Sequence, residues 1–236
     1  STPNRSTIDR IDFGNDTATT LARSNLPYSG GYGTATGSSN FGYWIGSSSN
    51  KSQVNRLDYS NDTAQTVTKG PLSANKYSSA GSFSAQAEGL SSPATLPVPA
   101  TRTEIYPTGG PAYGYMGGGY NPSAVQSGIN RIDYSNDTAT ASKVAKFTGA
   151  PWPQQQNLFG ISSLTHAYWG GGTHTLGSES SAVFRLDLAN DTTDAPKVGP
   201  LSAVGSEFSA VGNASYGYVN GDSKSRVDRI DYSIDS

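Results

Sequence analysis

Apolar positions recur at every second residue in short runs. In Val54-Asn55-Arg56-Leu57-Asp58-Tyr59, Val54, Arg56 and Asp58 share one face of a strand, and Asn55, Leu57 and Tyr59 share the other. Both faces carry apolar residues, as a strand covered on two sides requires. Ahead of it, Gly42-Tyr43-Trp44-Ile45-Gly46 reads as an aromatic and glycine strand. After it, Ser60-Asn61-Asp62 supplies hairpin-turn chemistry, Thr63 to Lys69 returns as a β-branched strand, Gly70-Pro71 breaks it, and Tyr77 to Phe83 closes the unit. Four strands in roughly 45 residues leave no room for a helix and match the length of a propeller blade.

The central strand and its turn recur along the chain. Arg131-Ile132-Asp133-Tyr134-Ser135-Asn136-Asp137-Thr138 has close copies beginning at Arg10, Arg56, Arg185 and Arg229. The arginines are 46, 75, 54 and 44 residues apart. The glycine strand reappears at Tyr113–Gly119, Ala167–Gly172 and Tyr216–Gly221, and Gly-Pro-Leu-Ser at Gly70–Ser73 and Gly199–Ser202. Two intervals break the period. The longest contains a Pro-rich stretch, Ser91 to Pro111, which reads either as part of a decayed blade centred on Arg102 or as an excursion over one face. The next longest holds Pro151-Trp152-Pro153, a rigid loop presenting a large ring. Motif strands at both ends fit either an extra strand that pairs elsewhere or a chain cut from a longer array.

Composition narrows the class. Only 14% of residues are charged and the net charge is −2, which gives no electrostatic footprint for nucleic acid. No apolar run approaches the length that spans a bilayer, so no membrane insertion is expected. Ser1 stands where a Met would begin an unprocessed chain, as in a processed chain or an excised fragment. The absence of Cys excludes disulfides, thiolate metal sites and Cys nucleophiles.

The chemistry-bearing residues belong mostly to the repeat. Arg10, Asp12, Arg56, Asp58, Arg131, Asp133, Arg185, Asp187, Arg229 and Asp231 are expected to be paired in a network between adjacent blades, because isolated charges there would be costly. The Asn-Asp-Thr sequences at 15–17, 61–63, 136–138 and 190–192 match a glycosylation pattern. Their place at the apex of each hairpin is explained by turn chemistry alone. His166 and His174 lack a metal-ligand spacing, and no nucleophile elbow is present, so neither a cofactor nor catalytic chemistry is expected. Aromatic rings in loops suit stacking on sugars. Trp152 is the leading ligand-binding candidate, with Tyr106, Tyr113 and Tyr120 beside the Pro-rich stretch. Trp44 and Trp169, inside glycine strands, are read as core.

The glycine strand resembles the kelch-type propeller repeat. The full phrase, Gly114-Tyr115-Met116-Gly117-Gly118-Gly119 leading into Arg131 to Thr140, more closely resembles repeats in structural and tail-associated proteins of marine cyanophages. The resemblance covers most of the chain outside residues 84–112 and 147–157. It implies a non-enzymatic virion or fibre module, in a virion or extracellular setting. Its expected partners are other virion or fibre subunits and a host-surface glycan; a stand-alone lectin is the alternative. The fold expected is an all-β, single-domain propeller over residues 1–236. Five four-stranded blades are expected, and four plus a Pro-rich excursion at 84–112 is the alternative.

Overall fold

The computed structural model describes residues 5–12, 14–15, 17–31, 33–38, 40–45, 52–75, 81–84, 113–121, 123–213, 215–221 and 225–234. The chain is all-β, with two single 3-10 turns among the described residues, at Tyr59–Asn61 and Leu188–Asn190. It falls into five consecutive units. The first has β1 (Arg5–Arg10) and β2 (Leu21–Gly30). The second has β3 (Thr34–Gly37), β4 (Phe41–Ile45), β5 (Val54–Asp58) and β6 (Val67–Thr68). In the third, β7 (Gly81–Ser84) and β8 (Tyr113–Gly117) precede a small hairpin, β9 (Tyr120–Asn121) and β10 (Ala124–Val125); β11 (Gly128–Asp133) and β12 (Ser142–Thr148) complete it. The fourth has β13 (Gln155–Gln156), β14 (Phe159–Ser162), β15 (His166–Gly170), β16 (Thr173–His174), β17 (Ser180–Asp187) and β18 (Ala195–Gly205). The fifth has β19 (Ser209–Gly212), β20 (Tyr216–Asn220) and β21 (Val227–Asp231).

The aromatic strand and the motif strand pair antiparallel in every unit that has both. Tyr43 faces Arg56, Tyr115 faces Arg131, Tyr168 faces Arg185 and Tyr218 faces Arg229. The strand expected to close the second unit behaves differently. Tyr77 to Ala80 lie outside the described residues, while Gly81–Ser84 pairs with β8 and so opens the third unit. Alternation cannot reveal this, because an edge strand looks the same whichever sheet it joins. The long interval is thereby located: β7 and β8 are direct antiparallel neighbours, so the chain leaves and re-enters between two paired strands. Residues 85–112 themselves lie outside the described residues.

Parallel pairing of β12 with β18 joins the third and fourth units into one eight-stranded sheet, order β14-β15-β17-β18-β12-β11-β8-β7. Its two edges meet. A Cβ on Gly160 would stand 2.6 Å from Ser82 N, and one on Gly81 would strike the Phe159 carbonyl. The sheet is therefore a nearly closed, barrel-like wrap, and only glycine allows the edge backbones so close.

The core lies between units. Tyr43, Ile45 and Val54 of the second are buried with Met116 and Ile132 of the third. Tyr115 and Ile129 of the third meet Trp169, Phe184 and Leu186 of the fourth. Ile161, Tyr168 and Val183 of the fourth meet Val219 and Ile230 of the fifth. Each strand thus sends one face forward and the other backward, which is why both faces are apolar.

Candidate functional site

The charged repeat residues form a clamp between units. Arg10 Nη1 donates to Asp62 Oδ2 at 2.7 Å, Arg56 Nη1 to Asp137 Oδ2 at 2.7 Å, and Arg131 Nη1 to Asp191 Oδ2 at 2.6 Å. Each acceptor is the turn aspartate of the following unit. In two of the three clamps the tyrosine across from the arginine adds a bond to the same oxygen, Tyr43 at 3.1 Å and Tyr115 at 2.7 Å. Lys69 approaches the other oxygen of Asp137 at 3.4 Å. The guanidinium carbon sits over an aromatic ring two residues before that tyrosine: Arg56 over Phe41 and Arg131 over Tyr113, both 4.3 Å from the ring centroid. Tyr134 of the next unit stacks on Tyr43 at 4.9 Å, and Tyr232 on Tyr168 at 5.1 Å.

The motif aspartates serve a different purpose from the one expected. Asp12, Asp58, Asp133, Asp187 and Asp231 each accept the backbone N–H two residues ahead, from Gly14, Ser60, Ser135, Ala189 and Ser233. A short carboxylate at the end of a strand reaches its own turn more readily than a neighbouring sheet. The Ser60, Ser135 and Ser233 hydroxyls add a second bond and hold the carboxyls of Asp58, Asp133 and Asp231 below their usual range. With the motif aspartate committed to its own turn, the aspartate four residues on fills the clamp. Asn15, Asn61, Asn136 and Asn190 accept from the threonine hydroxyls of their own turns. Arg229 lies over Tyr216 at 4.7 Å.

Burial, followed by the negative charge of Asp137 and the hydrogen bond to it, pushes the Tyr43 hydroxyl well above its ordinary range. Burial, the hydrogen bond to Asp191 and its charge do the same to Tyr115. A folded-state value raised above the unfolded one contributes stability that is complete below about pH 10 and is lost as pH rises further. Urea unfolding is therefore expected to show stability nearly constant up to about pH 9 and falling above about pH 10, with a slope approaching about 1.4 kcal/mol per pH unit for each of the two tyrosines. The slope is expected to flatten in Tyr115→Phe, and an unchanged slope there would refute this role.

Trp152 stands apart from the clamps. It is 46% exposed, between two prolines, and stacks on His174 with ring centroids 5.7 Å apart and planes 17° from parallel. His174 Nδ1 accepts the Leu176 N–H at 3.2 Å, which leaves its proton on Nε2 when the ring is neutral. Buried Gln155 ties the loop down. Its Nε2 donates to the Trp152 carbonyl at 2.7 Å, its N–H to the Gln126 carbonyl, and its own carbonyl accepts the Gly119 N–H. Gln155 Oε1 has no hydrogen-bond partner among the described residues.

The other candidates separate. Tyr120 pairs with Val125 in the small hairpin, beside Gly119 and hence at the Trp152 end. Tyr113 lies at the far end of β8, packed against Arg131 and edge-on to Tyr115 at 6.3 Å. It belongs to a clamp and is not brought to Trp152. Tyr106 lies outside the described residues. His166 begins β15 and its Nδ1 meets Thr165 Oγ1 at 2.9 Å, while His174 sits past the strand's other end. Sequence reasoning missed Tyr43, Tyr115, Asp62, Asp137 and Asp191 as clamp members. The available signal was the tyrosine at the third position of each aromatic strand, Tyr43, Tyr115, Tyr168 and Tyr218, which recurs in step with the arginine.

A third feature is a cavity of about 290 Å³ lined by the first strands of four units, including Thr34, Ser82, Phe159, Gly160 and Ala210. Among the described residues, no ionisable side chain lines it. Among the described residues, no three His, Asp or Glu side chains gather into a metal-sized group. No family model matches the chain, and no curated protein matches it significantly.

Proposed function

We propose that the chain is a non-enzymatic structural module of a virion or tail fibre, located in the particle or outside the cell. It presents the Trp152 loop to a host-surface glycan or a neighbouring subunit. The observation that carries this reading is the Trp152 ring: flat, nearly half exposed, and held in place by two prolines, His174 and Gln155. A pre-positioned ring loses little freedom when it stacks on a sugar. The charges of Arg10, Arg56 and Arg131 and of the motif aspartates are occupied in ties between and within units, which supports a scaffold role for them.

The same proposal takes the array as a propeller of four-stranded blades. Support comes from the face-to-face packing of successive units and from first strands β3, β7, β14 and β19 sharing one cavity. Those four strands, and the direct β7–β8 pairing across the long interval, favour four blades plus an excursion over five. A stand-alone lectin is the second reading, favoured by an aromatic in every unit. Gly119 and Gly172 donate to the equivalent carbonyls of Gln155 and Gly205, so the counterpart of Trp152 ahead of the fifth unit is Ser202, within β18, and the ring does not recur there.

The test is a glycan array followed by calorimetry on any glycan retained. Trp152→Ala is expected to weaken binding by about tenfold or more with folding unchanged. Undiminished binding would remove Trp152 from the site. Binding to no glycan, together with stable association into fibres, would leave subunit contact as the role.

A further inference from the structure

The clamps use only part of each Asn-Asp-Thr turn. In three of the turns the middle residue points inward, Asp62 to Arg10, Asp137 to Arg56 and Asp191 to Arg131. The flanking residues are all exposed: Asn15, Asn61, Asn136 and Asn190 on one side, Thr17, Thr63, Thr138 and Thr192 on the other. In each pair the threonine hydroxyl donates to the asparagine Oδ1, at 3.2, 3.4, 3.3 and 3.4 Å in chain order.

Turn chemistry, which was expected to explain these asparagines, does not require them. Asn serves a turn either by tolerating a left-handed backbone or by accepting a nearby backbone N–H on its side chain. Among the described residues, Asn157 and Glu207 are the non-glycine residues with positive φ, so none of the four is left-handed. The backbone N–H of these turns is accepted by the motif aspartates Asp12, Asp58, Asp133 and Asp187. The fifth unit supplies the comparison, because Ile234 stands at the Asn position. There Ser233 N–H still donates to Asp231 Oδ1 at 3.0 Å and Ile234 N–H to the Asp231 carbonyl at 3.2 Å. The third unit makes the same two bonds with Asn136, at 2.8 and 3.1 Å. An aspartate would accept the threonine hydroxyl as readily as an asparagine does. What Asn adds is its Nδ2 amino group, and in all four turns that group has no hydrogen-bond partner among the described residues. Asn213-Ala214-Ser215 also fits the acceptor pattern, but there the asparagine does ordinary turn work. Its Oδ1 accepts the Ser215 and Tyr216 N–H groups at 2.8 and 2.9 Å.

We propose that Asn15, Asn61, Asn136 and Asn190 are sites of N-linked glycosylation, one on each of the first four units. The pattern of Asn and Thr two residues apart, exposed and joined by a hydroxyl bond, is the one such transfer reads. The co-reactant is a lipid-pyrophosphate-linked oligosaccharide. A bond forms between Nδ2 and the sugar C1, the bond from C1 to the pyrophosphate oxygen breaks, and the proton lost from Nδ2 passes to the leaving pyrophosphate. The Asn136 and Asn190 turns follow Asp133 and Asp187, which pair with Tyr113 and His166. They lie at the strand ends away from Trp152 and His174, so sugars there leave the Trp152 loop open. The inference does not rest on the role proposed for that ring.

Peptide-mapping mass spectrometry of the protein from its natural source tests this, after digestion with peptide N-glycosidase in heavy-oxygen water. The enzyme converts a glycosylated asparagine to a labelled aspartate. The expected result is a fall in intact mass and label at positions 15, 61, 136 and 190. Unlabelled asparagine at all four overturns the proposal, whatever the state of Asn213. In the chain secreted from a glycosylating host, Thr138→Ala is expected to lose the glycan at Asn136 and Thr138→Ser to keep it, with circular dichroism unchanged in both. A glycan on Asn136 that survives Thr138→Ala also overturns it.

Discussion

Asp191→Ala is expected to cost about 3 kcal/mol of stability, while Asp187→Ala, four residues earlier in the same motif, costs about 1 kcal/mol. Asp191 is buried and accepts from both Arg131 and Tyr115. Its loss strands a guanidinium and a hydroxyl in a packed interface, and leaving such groups unpaired costs more than the bonds themselves contributed. Arg131 remains about a quarter exposed, 28% at the side chain, so water recovers part of that cost and the figure stays at the low end for a broken buried pair. Asp187 is exposed and accepts only the Ala189 N–H that begins the 3-10 turn, so its loss is that of a cap. Urea unfolding of the two variants side by side decides the matter. Equal losses would mean that the pairing between units does not contribute as its geometry suggests.

That contrast marks how far the sequence could be read. Period-two alternation around Arg56 identified the motif strand and its two buried faces, because side-chain direction along a strand is set by local geometry. It also pointed to the arginine being paired with an adjacent unit. Which aspartate answers it was not legible. Asp58 and Asp62 both follow Arg56 within six residues, and only the three-dimensional offset between units shows that Arg56 reaches Asp137, 81 residues away. The triple glycines at 117–119 and 170–172 recur at the ends of aromatic strands. Gly118 and Gly171 adopt φ of +70° and +63°, and a Cβ on them would press into Leu158 and Phe208 of the following unit. Their spacing was visible, but the side chains that require it are contributed by the next repeat. Trp152 was legible for the opposite reason, since it lies where the repeat length changes and no structural duty of the repeat accounts for it.

A unit boundary that contains the core predicts where the chain is weakest to truncation of a large side chain. Trp169→Ala is expected to destabilise the chain by about 3–5 kcal/mol. The indole is fully buried, packs against Phe147 at 5.6 Å and donates from Nε1 to the Gly81 carbonyl at 3.0 Å. It also explains two glycines: Cβ atoms on Gly81 and Gly117 would lie 2.6 and 2.9 Å from the ring. Removing the indole empties the junction of β7, β8 and β15 and leaves the Gly81 carbonyl without its donor. Neighbouring side chains cannot collapse into the space, because the facing positions are glycines on paired strands. The loss falls between the third and fourth units, so unfolding followed by tyrosine fluorescence and by circular dichroism is expected to separate into two transitions where the wild type shows one. A loss below about 1 kcal/mol with one coincident transition would mean that the units hold together without this ring.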